Sequence, residues 1–203
     1  MDKAFIFDRS GTLNNNLHSF HQISELIFRD LGKEPISKEE VRLNYDAPYM
    51  KFWNKYFPDL TREKQCEMFE RYTHQVDEAE VYPGVVETLT LLHEKWWRLF
   101  ILSSDPVSKL IPEIEKSGLF PLFTKIIGEV HEKNEILASL VEEFHLDKKA
   151  TFYVGDVIWE VEAGKFAGVK TIAITWWFQH RNVLSKANPD YLIDDIVEIK
   201  NII

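Results

Sequence analysis

Cysteine is nearly absent from this sequence, since Cys66 is the only one among 203 residues. A single thiol cannot form an internal disulfide or a thiolate cage around a metal, which fits a reducing compartment. No apolar run approaches the roughly 20 residues that span a bilayer. The first residues, Met1-Asp2-Lys3-Ala4, do not have the pattern of a signal peptide. We therefore expect a cytoplasmic protein without a membrane partner.

Positive charge is also outnumbered by negative charge. The chain has 24 Lys and Arg against 33 Asp and Glu, which gives a formal net charge of −9. Nucleic acids are bound by basic surfaces that release counterions, so we do not expect a nucleic-acid partner. A small anionic ligand stays possible, because a local pocket can oppose the sign of the whole surface. The hydrophobic content of 45% is enough to bury a core.

What the sequence does contain is a series of short apolar runs, each followed by a helical pattern. Alternation of this kind predicts βαβ units, hence an α/β, Rossmann-like three-layer domain with a central parallel sheet. Ligands of such sheets bind beyond the carboxyl ends of the strands, which directs attention to the residues after each run. The predicted strands cover residues 4–7, 99–102, 125–128, 151–154, 171–175 and 191–193.

The segment 16–80 contains no convincing strand, and its patterns are helical. Ser37 and Glu40 form a capping box at the start of one predicted helix. We expect an inserted all-helical cap domain at 16–80 and a core domain formed by 1–15 and 81–203. Dense aromatic residues in the insert indicate either packing within the cap and on the core domain, or side chains that face a partner or a cleft for an apolar substrate. They are Tyr49, Phe52, Trp53, Tyr56 and Phe57.

Two smaller features concern the predicted connections. Asp105-Pro106 reads as the start of a helix, because Pro fits the first turn. Trp96-Trp97 stands where a turn glycine is expected between a helix and the next strand, so we expect a strained turn or an irregular helix end there.

Four separate stretches carry residues that suit phosphate chemistry: three follow predicted strands, and Lys133 stands at the start of a predicted helix. In chain order they are Asp8-Arg9-Ser10-Gly11-Thr12-Leu13, Ser103-Ser104, Lys133, and Asp156 with Glu160. Their order and placement resemble the haloacid dehalogenase-like hydrolase superfamily, particularly its phosphoglycolate-phosphatase-like members with a helical cap inserted after the first motif. The resemblance covers almost the whole chain. It implies hydrolysis of a small phosphorylated metabolite. We expect a monomer or a homodimer.

The resemblance and the chemistry of phosphate esters together give these residues roles. Asp8 is the expected nucleophile, and Mg²⁺ held between Asp8 and Asp156 would relieve repulsion between two anions. The resemblance implies that the backbone carbonyl of Ser10 is a third metal ligand. Lys133 is expected to neutralise charge in the transition state. Glu160, one turn after Asp156, is placed to orient Lys133 or a metal-bound water.

The remaining candidates surround the expected phosphate. Ser103, and with it Ser104 and adjacent amides, would bind phosphoryl oxygens, although a serine in the place of Ser104 is as often a helix cap. Gly11 and Thr12 are also expected to bind the phosphate: Gly11 lets the chain turn away without a clash, and Thr12 orients the loop.

Ser10 departs from the pattern of the superfamily's phosphatases, which usually have Asp there as the general acid and base. That catalysis is typically worth 10²–10⁴-fold. Three outcomes are open: a slow phosphohydrolase that favours good leaving groups, an enzyme that cleaves carbon–phosphorus or carbon–halogen bonds, or a phosphate- or partner-binding protein without turnover.

Overall fold

The structure is a computed structural model that describes residues 2–45, 49–77, 79–177 and 179–203. The chain divides into two compact units: one contains the residues up to Asn14 and from Val81 onwards, the other is Asn15–Glu80. In the part of the chain that is described, no helix has both the length and the apolar character needed to cross a membrane.

The first unit is built on a six-stranded sheet in which every paired neighbour is parallel. The strand order is β3-β2-β1-β4-β5-β6, so β1 lies between β2 and β4. The strands are β1 (Asp2–Phe7), β2 (Arg98–Leu102), β3 (Phe123–Ile127), β4 (Leu146–Gly155), β5 (Lys170–Ile174) and β6 (Tyr191–Ile193).

Helices follow most strands in the chain. The α-helices of the described residues are α1 (Leu17–Asp30), α2 (Lys38–Asn44), α3 (Met50–Tyr56), α4 (Arg62–Thr73), α5 (Val85–Glu94), α6 (Val107–Lys116), α7 (Lys133–Glu143), α8 (Ile158–Ala167) and α9 (Arg181–Leu184). Short 3₁₀ helices cover Phe120–Leu122, Ser185–Ala187 and Ile196–Asn201.

The central strands are apolar on both faces because helices cover both sides of the sheet. In β1, Phe5 and Phe7 belong to one buried cluster, while Ala4 and Ile6 belong to another. This explains the near-continuous apolar runs of the sequence. The predicted fold class, a three-layer α/β domain with a central parallel sheet, is confirmed.

Strand β4 begins at Leu146, earlier than the run at 151–154 predicts. Its first part pairs with β1 through Asp2 and Leu146, with a shift of register before the buried portion. The residues at its start include Lys148 and Lys149, which are exposed and polar, so no apolar run marks them.

The connection between α5 and β2 contains a backbone conformation that costs free energy. Trp96 has φ of +63°, in the left-handed region, and its side chain is 88% exposed. The predicted strained turn is therefore confirmed: Trp96 stands where glycine fits best.

The second unit, Asn15–Glu80, contains helices α1 to α4 and a core rich in aromatic rings. Phe52 and Trp53 are fully buried and pack edge to face, with ring centroids 5.2 Å apart. Phe28 packs against Phe57 at 4.9 Å. Phe52, Trp53 and Phe57 thus serve internal packing, and the half-buried Tyr56 joins them with its ring 5.5 Å from that of Phe52. Tyr49 is half-buried.

Candidate active site

The loop after β1 places a carboxylate at the carboxyl edge of the sheet. Asp8 is buried, and its N–H donates to the carbonyl of Val154 on β4 at 2.9 Å. The chain then turns tightly, with the N–H of Leu13 donating to the carbonyl of Arg9 at 2.9 Å. Gly11 makes the turn possible: its φ is +86°, and a Cβ there would collide with the indole of Trp177.

Lys133, the first residue of α7, joins two carboxylates. Its Nζ lies 2.6 Å from Oδ1 of Asp8 and 2.6 Å from Oε1 of Glu160. Burial would lower the pKa of Lys133, but the charges of Asp8 and Glu160 outweigh it and raise that pKa. Lys133 is therefore a fixed positive charge beside Asp8.

Asp156 and Glu160 are tied to each other where β4 passes into α8. The N–H of Asp156 donates to Oε2 of Glu160 at 2.8 Å. Gly155 is needed for this contact, because a Cβ at that position would overlap the Glu160 carboxylate. The absence of a side chain at Gly155 therefore allows the Glu160 carboxylate to pack against the end of β4.

Three buried carboxylates, those of Asp8, Asp156 and Glu160, each bring an oxygen within 4.8 Å of the others. Among the contacts of the described residues, Oδ2 of Asp156 has no hydrogen-bond partner although it is buried. Such an atom costs free energy unless a ligand satisfies it. An all-oxygen donor set with an unpaired buried oxygen fits a hard divalent cation such as Mg²⁺.

The electrostatics of these three carboxylates also favour a bound divalent cation. Burial, and next the charge of Glu160, raise the pKa of Asp8 to about 8, with Lys133 opposing them. Burial and the charge of Glu160 also raise the pKa of Asp156 well above its usual value. One ammonium does not balance three carboxylates, and a divalent cation would.

A second group of side chains lies where β1 and β2 end. Oδ2 of Asp105 accepts from the hydroxyl of Ser10 at 2.7 Å, from the hydroxyl of Ser103 at 2.9 Å and from Nη1 of Arg9 at 3.3 Å. Arg9 also pairs with Glu113 on α6. Burial would raise the pKa of Asp105, but the Arg9 charge and the Ser10 hydrogen bond outweigh it and lower that pKa.

The candidate residues thus form two groups. Asp8, Lys133, Asp156 and Glu160 meet directly, while Ser10 and Ser103 meet through Asp105. Two predicted phosphate ligands stay outside both sets of contacts: the Ser104 side chain is exposed, and the hydroxyl of Thr12 is buried with no hydrogen-bond partner among the described residues.

Asp105 is the residue that the sequence interpretation missed. The sequence assigns it only a place at the start of a helix. Helix α6 begins at Val107 with Pro106 as its N-cap, and the Asp105 carboxylate contacts Ser10 and Ser103. A signal was available, because Asp105 comes two residues after Ser103 at the carboxyl edge where ligands bind.

Comparisons with known proteins agree with this architecture. The family model of haloacid dehalogenase-like hydrolases matches residues 5–174. A phosphoglycolate phosphatase of Synechococcus elongatus is 28% identical over 202 residues, which cover 95% of this chain and 92% of the relative. One of Vibrio parahaemolyticus is 26% identical, over 99% of this chain and 96% of the relative.

Solved structures show the same fold. A haloacid dehalogenase-like family hydrolase of Streptococcus pneumoniae superposes with a TM-score of 0.85 at 20% identity, covering 99% of this chain and 98% of the other. A predicted phosphoglycolate phosphatase of Haemophilus somnus gives a TM-score of 0.83 at 22% identity, covering 99% and 97%.

Proposed function

The chain belongs to the haloacid dehalogenase-like hydrolase family, and on that premise we propose that it hydrolyses a small phosphorylated metabolite through an aspartyl-phosphate on Asp8. The observation that carries this proposal is the buried contact of Lys133 with both Asp8 and Glu160, beside Asp156. A carboxylate nucleophile with a fixed positive charge beside it suits phosphoryl transfer to an aspartate, and the further carboxylates of Asp156 and Glu160 suit a divalent cation.

In the proposed reaction, a carboxylate oxygen of Asp8 attacks phosphorus and the bond from phosphorus to the leaving oxygen breaks. Water then attacks the phosphorus of the aspartyl-phosphate, which frees Asp8 and releases inorganic phosphate. Lys133 stabilises the negative charge that spreads over the phosphoryl oxygens. Glu160 acts through Lys133, because its 2.6 Å contact holds the ammonium toward Asp8.

Mg²⁺ is the proposed cofactor. Asp8, Asp156 and the backbone carbonyl of Ser10 would hold it, with Glu160 beside them. When bound, the cation supplies charge neutralisation to a reaction between two anions.

Ser10 limits the proposed activity. A serine hydroxyl cannot protonate the leaving oxygen near neutral pH or deprotonate the attacking water. We therefore expect slow turnover, with a preference for acyl or aryl phosphates, whose leaving groups need little protonation. The second candidate, a phosphate-binding protein that has lost turnover, is favoured by the same residue.

The helical unit Asn15–Glu80 is proposed as the cap, the part that selects the non-reacting portion of the substrate. The similar proteins named phosphoglycolate phosphatase make 2-phosphoglycolate the first substrate to test.

The test is a screen of phosphate release from 2-phosphoglycolate, acetyl phosphate and para-nitrophenyl phosphate, with Mg²⁺ or with EDTA. We expect Mg²⁺-dependent release by the native protein, faster with the two good leaving groups, and none by Asp8→Asn. Circular dichroism of the variant controls for folding. Release that Asp8→Asn retains would contradict the mechanism, and no release from any substrate would favour the binding function.

A further inference from the structure

The hydroxyl groups of Ser10 and Ser103 both give their protons to the same oxygen, Oδ2 of Asp105. Ser103 is further engaged, because its Oγ accepts the N–H of Asp105 at 3.1 Å. A hydroxyl has one proton to donate. As long as these contacts persist, neither serine can donate a hydrogen bond to a phosphoryl oxygen.

Arg9 is occupied in the same way. Its guanidinium pairs with Asp105 and with Glu113, so one buried cation faces two carboxylates. Its positive charge is therefore already balanced within the protein, and little of it is left to attract an anionic ligand.

These groups lie beside the proposed nucleophile. Strands β1 and β2 are neighbours, and Phe7 pairs with Ile101. Asp8 and Ser103 thus follow adjacent strands at nearly the same level of the sheet. An anion that reaches both residues must approach the Asp105 carboxylate that Ser103 contacts.

Resting on the proposed phosphatase function, we infer that Asp105 sets the affinity of the anion subsite by competing with the phosphoryl group for the Ser103 and Ser10 hydroxyls. Asp105 acts through these serines, so it is a positioning residue. Its carboxylate removes two hydrogen-bond donors from the subsite and adds a negative charge. The subsite then binds a doubly charged phosphate, including the product, weakly, and favours groups that carry less charge.

Removal of the Asp105 carboxylate should therefore improve phosphate binding. A residue that merely held the loops in place would weaken binding when removed. Inorganic phosphate is the probe, titrated by calorimetry in the presence of Mg²⁺ into the native protein, Asp105→Asn and Asp105→Ala. The control is Glu113→Gln, which neutralises the other carboxylate on Arg9 and leaves the contacts of both serines unchanged.

We expect both Asp105 variants to bind inorganic phosphate at least about tenfold more tightly than the native protein, since a like charge a few ångströms away is removed. Glu113→Gln should change the affinity by less than about threefold, because its charge is farther from the serines. Asp105→Asn keeps the size of the side chain, and Asp105→Ala removes its acceptor as well, so the two variants check each other.

Equal or weaker binding by both Asp105 variants overturns the inference. If the native protein nevertheless releases phosphate in an Asp8-dependent manner, the proposed function stands and only the role of Asp105 fails. Tighter binding by the variants without turnover by the native protein supports the inference and refutes the phosphatase. Absence of both binding and turnover in every form refutes both.

Discussion

The buried charge of Asp8 should make the stability of the metal-free protein depend on pH. Burial and Glu160 raise the pKa of Asp8 from 3.8 to about 8 in the folded state. The folded protein therefore keeps a proton on Asp8 that the unfolded chain loses near pH 4. Stability that is present at low pH is then lost as pH rises from about 4 to 8, and the loss is complete above the folded pKa.

The size of the effect follows from the shift. One pKa unit corresponds to about 1.4 kcal/mol, so the full shift would be worth about 6 kcal/mol. Relaxation and water penetration reduce such penalties in real proteins, and we expect about 2–3 kcal/mol to be measured. For a chain of this length that corresponds to about 4–12 °C in melting temperature.

The assay compares thermal unfolding of the native protein and Asp8→Asn between pH 5 and 9, in EDTA. The variant also leaves Lys133 with one partner fewer, which shifts its stability by a nearly constant amount. The informative quantity is therefore the change of the difference with pH. The native protein should lose stability relative to Asp8→Asn as pH rises.

Asp59→Asn, which removes an exposed carboxylate, serves as the matched control and should follow the native protein. A difference between native protein and Asp8→Asn that stays constant from pH 5 to 9 would refute the reasoning, because Asp8 would then titrate normally.

Three further changes test the neighbouring contacts. Addition of 10 mM Mg²⁺ should raise the melting temperature of the native protein by about 3–6 °C, if the dissociation constant is about 1 mM. The melting temperature of Asp156→Asn should stay unchanged. Equal shifts in both proteins would exclude Asp156 as a ligand. Gly155→Ala should lower the free energy of unfolding by about 1–3 kcal/mol, measured by urea denaturation, because Glu160 loses its place against the strand; an unchanged midpoint would contradict this packing. Trp96→Gly should raise the free energy of unfolding by about 1 kcal/mol in the same urea denaturation, because glycine adopts the left-handed conformation without strain. A lower free energy of unfolding would show that the exposed indole contributes more than the strained backbone costs.

The fold could be predicted because a strand buried on both faces has an uninterrupted apolar sequence. The runs at 4–7 and 99–102 are apolar throughout, and each is found in a central strand. The start of β4 has no apolar run, because it contains the exposed Lys148 and Lys149. The first residue of such a strand is set by its pairing with a neighbouring strand, which local composition does not encode.

The two groups of site residues also differ in how far the sequence alone could predict them. Asp8, Lys133 and Asp156 could be proposed together because each follows or begins an element at one edge of the sheet, and their order resembles a known family. The contact between Ser10 and Asp105 depends on the adjacency of β1 and β2 and on where Arg9 lies. Its partners are 95 residues apart, so no local pattern could reveal it.

The central claim is that Asp8 becomes phosphorylated, and the most direct measurement is the mass of the protein after reaction. The native protein is mixed with acetyl phosphate and Mg²⁺, quenched in acid and digested. Because Ser10 offers no carboxylate base for the attacking water, we expect the intermediate to accumulate, so that the peptide containing Asp8 gains the mass of one phosphoryl group. Asp8→Asn should gain none. Phosphate release by the native protein with no adduct on that peptide at any time point, or an adduct on another residue, would contradict the account.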